Sequence, residues 1–169
     1  LRLLYGADRA DTGSLTMHQT EARAQQQASP NWRSPLAAIR AGIGLVTEDR
    51  KSQGLLLPQS IRVNTTLAGI GKVARGGWLR LSHEVEVARS WVKRLRVRSR
   101  STEQAVATLS GGNQQKVIFA RWLHQPCEVL LLDEPTRGID VGARADLYRE
   151  MDQMVDAGKA VLMVSSDLR

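Results

Sequence analysis

EVLLLDEPTRGID, residues 128–140, begins with an apolar run and passes through two adjacent acids into a turn. EVLLLD is too apolar for a strand with one face in water and suits a central parallel strand covered on both faces. Downstream, Val141, Ala145, Tyr148, Met151 and Val155 trace one face of an amphipathic helix that Gly158 closes, and AVLMVSS from Ala160 returns as another buried strand. Strand, helix and strand in that order form a parallel crossover, which makes the class α/β.

Upstream, GIGLV at residues 42–46 is a further candidate for a buried strand, and the charged EDRKSQG after it reads as a loop. Ser34 followed by Pro35 is a strong helix start, with Gly42 as the stop. LRLLYG reads as the last turns of a helix ending at Gly6, LTM at 15–17 as a short strand, and the polar, aperiodic TEARAQQQASPNW at 20–32 as a loop. Ser60 to Gln125 is expected to be mainly helical. Its best segment, His83 to Val97, sets Val85, Ala88, Trp91, Val92 and Leu95 on one apolar face. His83-Glu84 lacks the second histidine that a zinc motif needs four positions on, where Val87 stands, so the pair reads as a polar helix start.

The 169 residues are 42% hydrophobic and 24% charged, the balance of one soluble globular domain with a real core. No apolar run approaches the ~20 residues that span a bilayer, and LRLLYGADRADTG has no secretory-signal pattern, so a cytoplasmic location is expected. The single cysteine, Cys127, precedes VLLL and is expected to be buried and unreactive, and a disulfide within the chain is excluded. The formal charge is +7, densest in RSWVKRLRVRSR at 89–100. The plainer reading puts Arg89, Lys93 and Arg96 on the solvated face of a helix, and the alternative is contact with nucleic acid or anionic lipid.

Two places carry chemistry. Asp133 and Glu134 end the most apolar strand, where an open α/β sheet places its ligand crevice. One carboxylate there can hold magnesium while the next polarises a water for attack on phosphorus. LSGGNQQK at 109–116 is built like the start of a helix that binds an anion, with Ser110 as cap and Gly111 and Gly112 letting backbone N–H groups approach oxygen. The phosphate-loop pattern G-x-x-x-x-G-K-[ST] has no match from Leu1 to Arg169. Gly71-Lys72 is a decoy, followed by Val73 and preceded at the first glycine position by Thr66.

LSGGNQQKVIFARWL followed by EVLLLDEPTRGIDVGAR resembles the signature helix, Walker B strand and D-loop of an ABC-type ATPase. With GIGLVTEDRKSQGLLL upstream, the chain is similar to the second ATPase half of bacterial importers for ribose, galactose, xylose and related sugars. The resemblance spans nearly the whole chain apart from residues 18–32, where the family has a regular strand pair. It implies an incomplete P-loop NTPase-type parallel sheet core with a mostly helical signature subdomain. Residues 1–59 and 126–169 would form the core and 60–125 the helical part of one partial ATPase domain. LRLLYG would then be the tail of the helix after Walker A, a loop ending just before Leu1.

The resemblance also implies roles. In such ATPases two halves pack head to tail, so Leu109, Ser110, Gly111, Gly112, Asn113 and Gln114 would contact an ATP bound mainly by the partner half, with Asp140 reaching across the same interface. Asp133 matches the Mg2+ carboxylate and Glu134 the catalytic one. Glu48 stands at the usual Q-loop glutamine and Ser166 at the usual switch histidine, which implies a weakened home site unless metal or Arg50 offsets the charge of Glu48. The partners implied are a second ATPase half, a membrane-spanning permease on which the segment from about Ser60 to Arg100 docks, and indirectly a secreted sugar-binding protein, with the subunit peripheral on the inner face of the plasma membrane. The 169 residues alone are expected to be inactive without Walker A. The rival readings are a soluble ABC protein acting on nucleic acid and a non-catalytic remnant.

Overall fold

A computed structural model describes residues 1–9, 11–12 and 34–166. The strand expected at 15–17 and the loop expected at 20–32 lie outside them. Three parallel strands, β1 (Ile43–Val46), β4 (Val129–Asp133) and β5 (Ala160–Val164), form a sheet in the order β1-β4-β5. Ile43 pairs with Val129 and Val46 with Leu132, while Asp133 pairs with Val164. The sequence reading of β4 as the central strand holds, with Leu130, Leu131 and Leu132 all buried.

β5 departs from the expectation of a buried strand. Its burial alternates, leaving Leu162 45% and Val164 50% exposed while Val161 and Met163 pack on the core. An apolar run states that a strand can be covered on both faces, but whether a second layer exists depends on the rest of the fold.

Ser34 caps α1 (Pro35–Arg40) through a bond from the Ala37 N–H, as the Ser-Pro pair predicts. At the N-terminus, one turn closes with Gly6 N–H on Leu3 O and Ala7 N–H on Arg2 O. The expected EDRKSQG loop contains a wide π-helical turn, Arg50–Gly54, capped by the Asp49 carboxylate. The Ser52 hydroxyl bond to that carboxylate holds Asp49 below the usual aspartate range.

The helical part packs α2 (Ile61–Thr66), α3 (Leu81–Arg94) and α4 (Gly111–His124) together, with α4 buried over most of its length. Between α2 and α3 lie a 3-10 turn (Leu67–Lys72) and a hairpin of β2 (Ala74–Arg75) and β3 (Trp78–Leu79), which the helical reading of this region did not include. Gly76 and Gly77, at φ 59° and 82°, make its two-residue turn, a conformation in which other residues are strained. α3 begins two residues before His83 and stops at Arg94, so Arg96 is not on its solvated face. Arg96 sits at φ 51° in the following turn, between the buried Leu95 and Val97. Glu84 is likewise not a solvated acid at a helix start: it is 2% exposed, ion-paired with Arg62 and bonded by the Thr66 hydroxyl at 2.7 Å.

α5 (Val141–Asp156) forms the crossover, but with a different face inward. Ala143, Leu147, Met151 and Met154 are buried, whereas Val141 is 82% and Val155 55% exposed. The sequence offers two apolar stripes. Packing against the small Gly112 of α4 selects the one containing Ala143, because a Cβ on Gly112 would lie 2.8 Å from the Ala143 Cβ.

Arg121 joins α4 to the rest. Its guanidinium is buried, has no carboxylate partner among the described residues, and donates to Gly54 O at 2.6 Å, Asn64 O at 2.8 Å and Asn64 Oδ1 at 2.9 Å. Burial pulls its pKa down to about 10, so it stays charged at neutral pH. Cys127 is 1% exposed, as expected.

Candidate functional site

The N-terminus of α4 presents backbone donors. Ser110 occupies the cap position with φ −61° and ψ 158°, yet its side chain caps nothing. Its Oγ accepts instead from Asn113 Nδ2 at 2.8 Å, a correction to the expected serine cap. Ser60, in nearly the same backbone conformation (φ −66°, ψ 161°), does cap α2 through Val63 N–H at 3.2 Å. The contrast therefore lies in side-chain pairing and not in backbone. Among the described residues, the N–H groups of Gly111, Gly112 and Asn113 are left without a side-chain acceptor at the end where the helix dipole is positive.

The glycines serve close approach. A Cβ at Gly111 would lie 2.7 Å from Arg50 Nη2 and 3.3 Å from Gly138 O, and one at Gly112 would lie 3.0 Å from Asp140 Oδ2. Asp140 caps α5 through the Ala143 N–H at 2.9 Å, so its carboxylate is fixed beside the start of α4. Leu109 is buried, and the buried Gln114 side chain donates to Val106 O at 3.1 Å. Both side chains are engaged in the helical core, apart from the exposed Ser110.

At the other end, Asp133 closes β4 and Glu134 follows at φ 46°, a strained conformation for a residue with a side chain. The strain is held by bonds on both sides. Glu134 N–H donates to Val164 O at 2.9 Å, and Ser166 N–H donates to Glu134 Oε1 at 2.7 Å. Among the described residues, Glu134 Oε2 is buried without a hydrogen-bond partner. The structure thus brings Glu134 and Ser166 together through the Ser166 backbone, while Asp133 stands next to them at the strand end.

Glu48 lies between these two places. Its carboxylate is ion-paired with Arg137, a partner outside the sequence expectation of metal or Arg50 as the compensating charge. Arg50 Nη1 donates to Arg137 O at 3.2 Å while Nη2 lies against Gly111, so Arg50 connects the turn after β4 to the start of α4. Sequence reasoning missed Arg137 although it stands inside DEPTRGID. A pair formed across 89 positions leaves no local spacing to read.

A model of the ABC transporter family matches residues 1–137. The chain belongs to the ABC transporter family. It is 45% identical over 168 residues, 99% of its length, to the ribose import ATP-binding protein RbsA of Chromobacterium violaceum, covering 32% of that protein. It is 44% identical over 166 residues to a protein of Rhizobium meliloti named for ribose, galactose and methyl galactoside import, covering 98% of this chain and 32% of the relative. The chain spans about a third of the length of the curated relatives it matches. Among solved structures, it is similar to a dimeric post-hydrolysis state of the ATP-binding cassette MJ0796 bound to ADP and Pi, with TM-score 0.75, 21% identity, and 98% of this chain and 68% of that one covered. A nucleotide-free ATP-binding cassette from an ABC transporter gives TM-score 0.71 at 17% identity, covering 99% of this chain and 64% of that one. These likenesses establish the ABC cassette fold, and the relatives give the nucleic-acid reading no support.

Proposed function

We propose that this chain is part of the ATP-binding, ATP-hydrolysing subunit of an importer for ribose, galactose or a related monosaccharide. In this reading the start of α4 closes over an ATP held mainly by a second ATPase half. The observation that carries it is the uncapped helix start: Gly111 and Gly112 display N–H groups while Asn113 turns the Ser110 hydroxyl away from capping them. A phosphate placed there gains these donors, the Ser110 hydroxyl and about 0.3–1 kcal/mol from the helix dipole. Asp140, fixed beside Gly112, reaches across the same contact.

The acids fit a magnesium nucleotide. Mg2+ is usually held by one or two carboxylates together with phosphate oxygens and waters, so Asp133 suffices without the cluster of three ligands that the described residues lack. Bound there, Mg2+ would neutralise charge on the phosphates. Glu134, whose buried Oε2 lacks a donor among the described residues, would orient a water. Ser166 offers its backbone to Glu134 and has no charged donor for a terminal phosphate, and Arg137 offsets the Glu48 charge. Because Arg137 removes the objection from the Glu48 charge, it is the absence of a charged donor at Ser166 that makes this half complete its partner's site and turn over little at its own.

The names of the relatives support import of ribose-class and galactose-class sugars, and with it a permease partner, a secreted sugar-binding protein and a place on the inner face of the plasma membrane. No helix of the described residues is long and apolar enough to cross a membrane. The division into a core of residues 1–59 and 126–169 and a helical part of 60–125 belongs to the same proposal.

ATPase assays on the full-length protein test the reading. Ser110→Arg should abolish most hydrolysis, Glu134→Gln should leave most of it, and Ser166→His should raise it. Undiminished activity in the Ser110→Arg protein would overturn the shared site. An unchanged rate in the Ser166→His protein would count against the weakened home site.

A further inference from the structure

We infer that the β2–β3 hairpin and its flanks form a surface that seats on an anionic lipid membrane. The inference stands apart from the nucleotide reading, because it uses none of the same residues. Trp78 is 82% exposed, the flanking Leu81 59% and Ile70 51%. A tryptophan ring left in water at a hairpin gains by entering the headgroup layer, where its apolar body and its N–H are both accommodated. Arg75 and Trp78 are cross-strand partners, so their side chains leave the same face of the hairpin.

The charge is one-sided. No Asp or Glu occurs between Asp49 and Glu84. Glu84 itself is buried and held by Arg62 and Thr66, so the first exposed carboxylate beyond the hairpin is Glu86. Lys72 is engaged with His124 O at 2.6 Å, but Arg75 and Arg80 are exposed and form no ion pair among the described residues. Two free guanidiniums beside an inserting ring complement an anionic bilayer.

The test is sedimentation of the purified full-length protein with vesicles of phosphatidylcholine alone or mixed with phosphatidylglycerol. The wild type should bind the mixed vesicles and release at high salt. Arg75→Gln with Arg80→Gln should weaken that binding on the order of 25-fold, about fivefold per cation. Trp78→Ala should weaken it several-fold, and brominated lipid should quench wild-type fluorescence more than that of Trp78→Phe. Circular dichroism confirms that each variant is folded. Equal binding by wild type and both hairpin variants, equal quenching in Trp78→Phe, or binding only when a membrane protein partner is present in the vesicles would each overturn the inference.

Discussion

Arg121 is buried in an environment that constrains substitution. It is a cation satisfied by two backbone carbonyls and an amide oxygen, with no carboxylate partner among the described residues. Replacing it with Met keeps volume but strands the Gly54 and Asn64 carbonyls in the core, at a cost of about 1–3 kcal/mol each. Arg121→Met is expected to lower the urea unfolding free energy by about 3 kcal/mol, and Arg121→Lys should recover less than half, since an ammonium lacks the fork that reaches separate acceptors. Full recovery by lysine would refute the role of the fork. Cys127 gives a second expectation at this scale. Burial pushes its thiol up to about 11, so about one in a thousand is ionised at pH 8. Iodoacetamide should label it slowly in the native protein and promptly in urea, a contrast that mass spectrometry reads directly.

Between elements, the α4–α5 contact combines steric and ionic parts. Lys116 Nζ donates to Asp146 Oδ2 at 2.6 Å, Arg149 donates to Oδ1 at 3.0 Å, and Arg96 stands 3.7 Å from the same oxygen. The Lys116 bond, followed by the Arg149 bond, holds the Asp146 carboxyl below the ordinary aspartate range. Its stabilisation is therefore fully present above the unfolded value of about 3.9 and is lost as pH falls through the lower folded value. Asp146→Asn should cost about 2 kcal/mol at pH 7, and urea curves of wild type and variant should converge only below pH 4. A constant difference down to pH 2 would exclude this linkage. The same contact shows what sequence could and could not supply. β4, the parallel crossover and the Ser34 cap were legible because each rests on neighbours a few residues apart. The inward face of α5 was not, because Gly112 and Ala143 choose it through close approach, which hydropathy does not weigh. The hairpin's Gly76-Gly77 signal was present but lay inside a segment whose apolar spacing favoured helix.

On the scale of the whole molecule, the acids at the end of β4 and the donors at the start of α4 were legible as separate motifs, but their connection was not. Glu48, Arg50, Arg137 and Gly111 come from three distant segments and meet only when β1 and β4 lie side by side in register. Glu48 is half-exposed, and in the proposed nucleotide site its charge would be tolerable only while Arg137 offsets it. Two unit charges several ångströms apart at a protein surface interact by about 1–3 kcal/mol before salt screening. Arg137→Ala should accordingly weaken nucleotide binding by the full-length protein about tenfold. Glu48→Gln, which removes the uncompensated charge, should restore it in the double variant while changing little alone. Fluorescent-nucleotide titrations across this cycle measure the coupling directly. If Arg137→Ala and the double variant bind equally weakly, the guanidinium contacts nucleotide by itself and the Glu48 charge is not what it controls.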